Sequence, residues 1–128
     1  MSSAAQVPTG PVPLLVDLPA AELAGALEDW GLRPGADVGE PRMSGRVLFG
    51  DADGPLEVGV WACTPGGWAI TVRTDTETVQ ILAGRARLTD ASGRSVELGP
   101  GDGLVLPRGW SGRWHVLEPV RKLYVIVR

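Results

Sequence analysis

From residue 45 onward, apolar residues recur at every second position in short runs, and the runs are separated by glycine, proline and aspartate. GRVLFG, LEVGVWACT, GWAITVRT, ETVQILAG, RARLTD, SVELG, GLVLP, GRWHVL and VRKLYVIVR each fit a strand bounded by turn chemistry. DASG (90–93) divides two alternating runs as a hairpin loop does. GPGD (99–102) puts Pro100 and Gly101 at the centre of a type II turn, where φ is first fixed and then positive. Upstream the period changes. In LPAAELAGALEDWG, Leu18, Leu23, Leu27 and Trp30 stand near helical spacing with Gly31 as a stop, which predicts one short helix. RPGADVGEPR (33–42) reads as a loop by composition. Nine short strands and almost no helix predict an all-β sandwich or barrel. The opening residues are small, polar and proline-rich, so 1–16 are expected to form a flexible tail and 17–128 the domain.

A chain of 128 residues makes one domain with room for a sizeable core. A net charge of −3 supplies no basic field for a nucleic-acid backbone, so no nucleic-acid partner is expected. No apolar run approaches the ~18 residues of a membrane span, so no membrane partner is expected either. The N-terminus lacks a basic region and is broken by prolines, unlike a signal peptide. Cys63 is the only cysteine, which excludes an intrachain disulfide and fits a reducing compartment; the cytoplasm is the expected location.

Two spacings then become specific. Glu77 and Gly84 are separated by six residues, and Gly101, Pro107 and Gly109 form a glycine–proline–glycine pattern. Both spacings, in this order, resemble the two signatures of the cupin superfamily. GVWACTPGGW, DTETVQILAGRARLTD, LGPGDGLVLPRG and WHVLEPVRKLYVI further resemble the branch containing ureidoglycine aminohydrolase and the ethanolamine-utilisation cupin. The resemblance runs from Trp61 to Tyr124 and implies a double-stranded β-helix, the RmlC-like jelly-roll barrel, with a ligand pocket in its mouth.

The resemblance also places the metal-ligand positions of such barrels, on Thr71, Arg73, Glu77 and Gly112. Of these only Glu77 binds a divalent cation well, and a transition-metal site needs three or four convergent donors. His115, the sole histidine, falls on the opposite strand parity to Gly112. No metal and no other cofactor are therefore expected. Glu77 shares its face with Val79 and Ile81, so the chain points one carboxylate at its own core. Two readings follow. Arg73 replaces the cation, holding Glu77 ionised and anchoring a substrate carboxylate or carbonyl; or Arg73 points outward and Glu77 bonds backbone at the rim.

Five tryptophans accompany one phenylalanine and one tyrosine. Trp114 shares parity with Gly112 and should enter the barrel beside the space that glycine leaves. Trp110 follows the second motif, and Trp61 and Trp68 lie in strands. The indoles either wall a pocket for a planar or hydrophobic molecule or plug the barrel, with core packing the favoured role for Trp61 and Trp68. Cys63 reads as a small buried hydrophobe, and Ser111 with His115 is too little for a triad. Glu118, Arg121 and Lys122 of EPVRK read as a solvated or inter-strand network. The last strand is apolar on both faces, so the N-terminal helix or a second subunit must cover its outside; cupins of this kind commonly pair, and the resemblance implies a homodimer.

The leading functional expectation is a metal-independent small-molecule-binding cupin. Its chemistry would be proton transfer (isomerisation, dehydration or cyclisation), with Glu77 as acid or base, Arg73 as anion holder, and Thr71, Gly112, Trp114, Trp110 and Trp68 as ligand contacts. A non-catalytic binding or scaffold subunit is the alternative. A metal-dependent aminohydrolase-like enzyme is the second.

Overall fold

A computed structural model describes residues 10–128. Ahead of the barrel lies α1 (Ala20–Leu23), followed by β1 (Glu28–Leu32), β2 (Ala36–Val38), β3 (Arg42–Gly50), β4 (Leu56–Cys63) and β5 (Gly66–Ile70). The chain continues through β6 (Thr76–Asp90), β7 (Ser95–Leu98), β8 (Gly103–Leu106) and β9 (Gly112–Val127). All pairings are antiparallel. Two long strands, β6 and β9, pair with each other along their whole length and organise the rest. Their first and second halves belong to different sheets. One sheet runs β1–β3–β4, the second half of β9, the first half of β6, then β8. The other runs β2–β5, the first half of β9, the second half of β6, then β7. This is the jelly roll that the motif resemblance implies, and one of the two all-β architectures that the alternation allows.

The corner between the sheets has a local cause. Register shifts cluster between Ile81 and Ala86 of β6, and bulges of this kind bend a strand and raise its twist. Gly84, the glycine of the first motif, lies there with φ +78°, and a Cβ on it would collide with the Pro119 carbonyl of β9. Only glycine takes this backbone at this approach.

The strand count agrees with the sequence reading for a different reason. Two pairs of runs fuse into β6 and β9, and two strands form where a helix and a loop were expected. The helix stops at Leu23, with Gly25 just beyond it, and Trp30 lies in β1 instead. Pairing with β3 overrides the helical spacing. Gly45 on β3 has no side chain, and a Cβ there would stand 2.7 Å from Cε3 of Trp30, so the indole takes that space. The expected loop likewise contains β2. Most of the expected tail lies outside the described residues. Of the rest, Leu14 and Val16, with Leu18, line a groove against Phe49, Leu56, Val58 and Val125 on the outer face.

The GPGD turn forms as read, with Gly101 at φ +91° and Asp102 N–H donating to the Gly99 carbonyl at 3.0 Å. The DASG loop closes the β6–β7 hairpin. Between the sheets lies one core of Trp61, Cys63, Trp68, Val79, Ile81, Leu88, Trp114, Val116 and their neighbours.

Candidate functional site

A cavity of about 210 Å³ opens at one end of this core. The strand period supplies its walls. On β4, Glu57 and Trp61 point inward; on β9, Trp114, Lys122, Tyr124 and Ile126 do; β5 contributes Trp68 and Ile70. Glu77 enters from β6, Arg73 from the segment between β5 and β6, and Trp30 and Arg33 from β1 and the turn after it.

Three charged residues are buried among the described residues, Glu57, Glu77 and Lys122, each no more than 6% exposed. All three face this cavity. Lys122 Nζ donates to Glu77 Oε2 at 2.8 Å, and Arg73 reaches the other oxygen, Oε1, at 3.0 Å. Arg73 also grips Asp75 through Nε at 3.2 Å and a terminal nitrogen at 2.6 Å. Its backbone is pinned, since its N–H donates to the Trp110 carbonyl and its own carbonyl accepts from Gly109, each at 2.8 Å. Glu57 accepts from the Tyr124 hydroxyl at 2.6 Å and from Arg128 at 2.8 Å. Gly59, opposite Tyr124, makes that crossing possible: a Cβ there would stand 2.5 Å from the tyrosine oxygen.

The aromatic wall is one cluster. Trp68 and Trp114 lie opposite each other on β5 and β9 with planes 9° apart, and Trp61 meets both edge-on. Lys122 Nζ sits 4.4 Å from the Trp61 ring centre and 4.5 Å from that of Trp114, where the negative ring faces attract it. Burial pushes the Lys122 ammonium down from its ordinary range, and Glu77 opposes that shift. Burial, followed by the bond to Glu57, raises the Tyr124 hydroxyl far above the usual phenol range. Burial also pushes the Cys63 thiol up to about 11, as a structural cysteine requires.

Against the expected set, Glu77, Arg73, Trp68 and Trp114 meet at the cavity, and Arg73 points inward. Thr71 does not line it: β5 ends at Ile70, the strand parity lapses, and Thr71 is exposed. Gly112 leaves no opening there. A Cβ on it would collide with the Thr89 carbonyl and stand 2.6 Å from Cζ2 of Trp110, so that indole already fills the space. Trp110 lines a second cavity of about 370 Å³ between β6, β7 and β8. Trp61 and Trp68 are core residues and pocket wall at once.

Glu57, Tyr124, Trp30 and Arg33 were not proposed for the site from the sequence, and Lys122, read there with Glu118 and Arg121 as part of a solvated or inter-strand network, is instead buried against Glu77. For Lys122 and Tyr124 the signal was present, because Val120, Lys122, Tyr124 and Ile126 alternate inward. Glu57 likewise alternates with Gly59, Trp61 and Cys63.

The metal-site positions of such barrels do not fit a metal here. The one carboxylate among them is held by two cations, and no cluster of three or more His, Cys, Asp or Glu able to hold an ion occurs among the described residues.

The two-sheet barrel with its pocket in one mouth is a cupin. A family model for the EutQ-like cupin domain matches residues 50–124, and the chain belongs to that family. No curated protein matches it. Among solved structures, a Pseudomonas syringae protein of unknown function is 23% identical with a TM-score of 0.74, over 82% of this chain and 46% of that one. The chain thus spans about half that protein's length. The ethanolamine-utilisation protein EutQ of Salmonella typhimurium is 20% identical with a TM-score of 0.61, over 76% of each chain. EutQ of Clostridium difficile is 19% identical with a TM-score of 0.59, over 68% of each. At these identities the likeness concerns the fold. No described helix is long and apolar enough to cross a membrane.

Proposed function

We propose that this domain binds a small organic molecule in the aromatic-walled mouth of the barrel without a metal, and that Glu77 and Lys122 exchange a proton with it. The observation that carries this reading is the buried Lys122–Glu77 pair, 2.8 Å apart and open to a cavity. A buried pair is weak evidence for stability, since apolar residues of similar volume serve a fold as well. One that lines a cavity is a functional candidate. A lysine whose ammonium is destabilised by burial, beside a carboxylate, is suited to general acid–base chemistry of the isomerisation, dehydration or cyclisation type. The cavity, about 210 Å³, is below the range of pockets for drug-sized ligands, which sets the ligand to a compact metabolite.

Elemental analysis of protein purified without chelator tests the metal-free half. Manganese, iron, nickel and zinc should each stay below about a tenth of an equivalent, because one carboxylate shared by two cations holds such ions weakly. Stoichiometric metal that survives dialysis contradicts the reading.

We further propose a homodimer in the cytoplasm. Phe49 and Val127 stay exposed beside Val58 and Val125 on the outer face, apolar surface that a second copy would cover. Sedimentation should then give twice the 13.5 kDa chain mass. The cysteine is buried and unpaired, in keeping with a reducing compartment.

A further inference from the structure

Arg33 is the cation at this cavity whose charge is unspoken for. Arg73 is committed to Asp75 and Glu77, Lys122 to Glu77 and two indoles, and Arg128 to Glu57. Arg33 has no ion pair or side-chain hydrogen bond among the described residues, and residues 1–9 contain no acidic side chain. Its Nε is buried without a partner, and its guanidinium carbon lies 5.2 Å from the centre of the Trp68 ring. A buried donor left unbonded is costly and calls for an explanation, such as a ligand that completes it. The wider charge count agrees. Around the cavity, Arg33, Arg73, Lys122 and Arg128 face Glu57, Asp75 and Glu77, so one positive charge is left over.

The aromatic wall does not favour a cationic ligand, because Lys122 Nζ already occupies the faces of Trp61 and Trp114. Nor can a ring slide between Trp68 and Trp114. Their centres are 6.3 Å apart, less than the ~7 Å that two stacking contacts of about 3.5 Å require. The room left for a ligand body is beside the cluster, where Ile70, Ile126 and Trp30 line the cavity together with Arg33.

We propose that the ligand is a compact monoanion, a small carboxylate with a flat or apolar body, and that Arg33 rather than Arg73 is its anchor. The inference rests on the small-molecule reading of the cavity. It makes the turn between β1 and β2 part of the site and gives Arg73 the task of positioning Glu77. A guanidinium meets a carboxylate through two parallel bonds, and Arg33 has the free donors for this.

Calorimetric titrations with benzoate, benzamide and benzylamine test it, since the three share a ring and differ in charge. Wild type should bind benzoate at least about tenfold more tightly than benzamide, the size of one charge-assisted contact, and benzylamine more weakly still. Arg33→Met should remove the advantage of benzoate over benzamide, while Arg33→Lys should keep part of it. Urea midpoints of Arg33→Met and Arg33→Lys no lower than that of wild type separate this from a folding defect. If Arg33→Met binds benzoate as wild type does, or wild type prefers benzamide or benzylamine, the anchor assignment is wrong while the pocket stands. If none of the three compounds binds wild type, the small-molecule reading falls and the anchor with it.

Discussion

Replacing Lys122 with methionine removes a charge from the most enclosed part of the site while keeping its length. Lys122 is 6% exposed, and its Nζ has one carboxylate partner and two indole faces. Breaking a buried pair from one side costs about 3–5 kcal/mol. Here Glu77 keeps Arg73 at 3.0 Å, which lowers the figure to about 2–3 kcal/mol. Two lost cation–π contacts add about 1 kcal/mol, and the apolar methionine returns a similar amount by filling the indole-lined space. The net expectation is a loss of about 2–3 kcal/mol, roughly 4 °C of Tm per kcal/mol for a chain of this length. The double variant Glu77→Gln with Lys122→Met behaves differently. It leaves Arg73 matched to Asp75 alone, so no buried charge is stranded, and it should return to within about 1 kcal/mol of wild type. Urea denaturation at pH 7, followed by circular dichroism, reads all four corners of the cycle. A Lys122→Met loss below about 0.5 kcal/mol, or a double variant as costly as the sum of the singles, would refute the view that this is a desolvated, coupled pair.

Gly112→Ala should lower stability by about 1–3 kcal/mol in the same denaturation assay, because its Cβ meets the Thr89 carbonyl and the Trp110 ring; a neutral outcome would mean the space is open after all. The Cys63 thiol, raised to about 11, should resist iodoacetamide at pH 8 in the native protein and react once unfolded. Because its folded value lies above the ordinary 9.0, the stability that it contributes is intact below about pH 9 and is lost as pH rises toward 11. Rapid native labelling at pH 8, read by mass spectrometry, would contradict its burial.

Much of this was legible in the alternation of the strands. Period two carried Glu77 and Trp114 to the interior, and the glycine spacings marked the corner at Gly84 and the turn at Gly101. What failed was local pattern without its partner. Leu18, Leu23, Leu27 and Trp30 mimic a helix, yet Trp30 joins β1 because Gly45, on a strand met later in the chain, leaves room for an indole. Losing that strand also hid Arg33, which the β1–β2 turn brings to the cavity. Thr71 failed because strand parity holds only while the strand lasts, and β5 stops one residue short of it. Lys122 was hidden by chemistry rather than pattern. Its alternation points inward, but a lysine there is improbable until Glu77 and two indoles are known to receive it.

The indole N–H resonances test the pocket most directly. Trp30, Trp61, Trp68 and Trp114 line the cavity, while Trp110 lines the other one and serves as an internal control. In a two-dimensional NMR titration of wild type with benzoate, the resonances of the four lining tryptophans should move in a saturable way and that of Trp110 should hold still. Movement confined to Trp110, or no movement of any indole at millimolar benzoate, would contradict a ligand site in this mouth of the barrel.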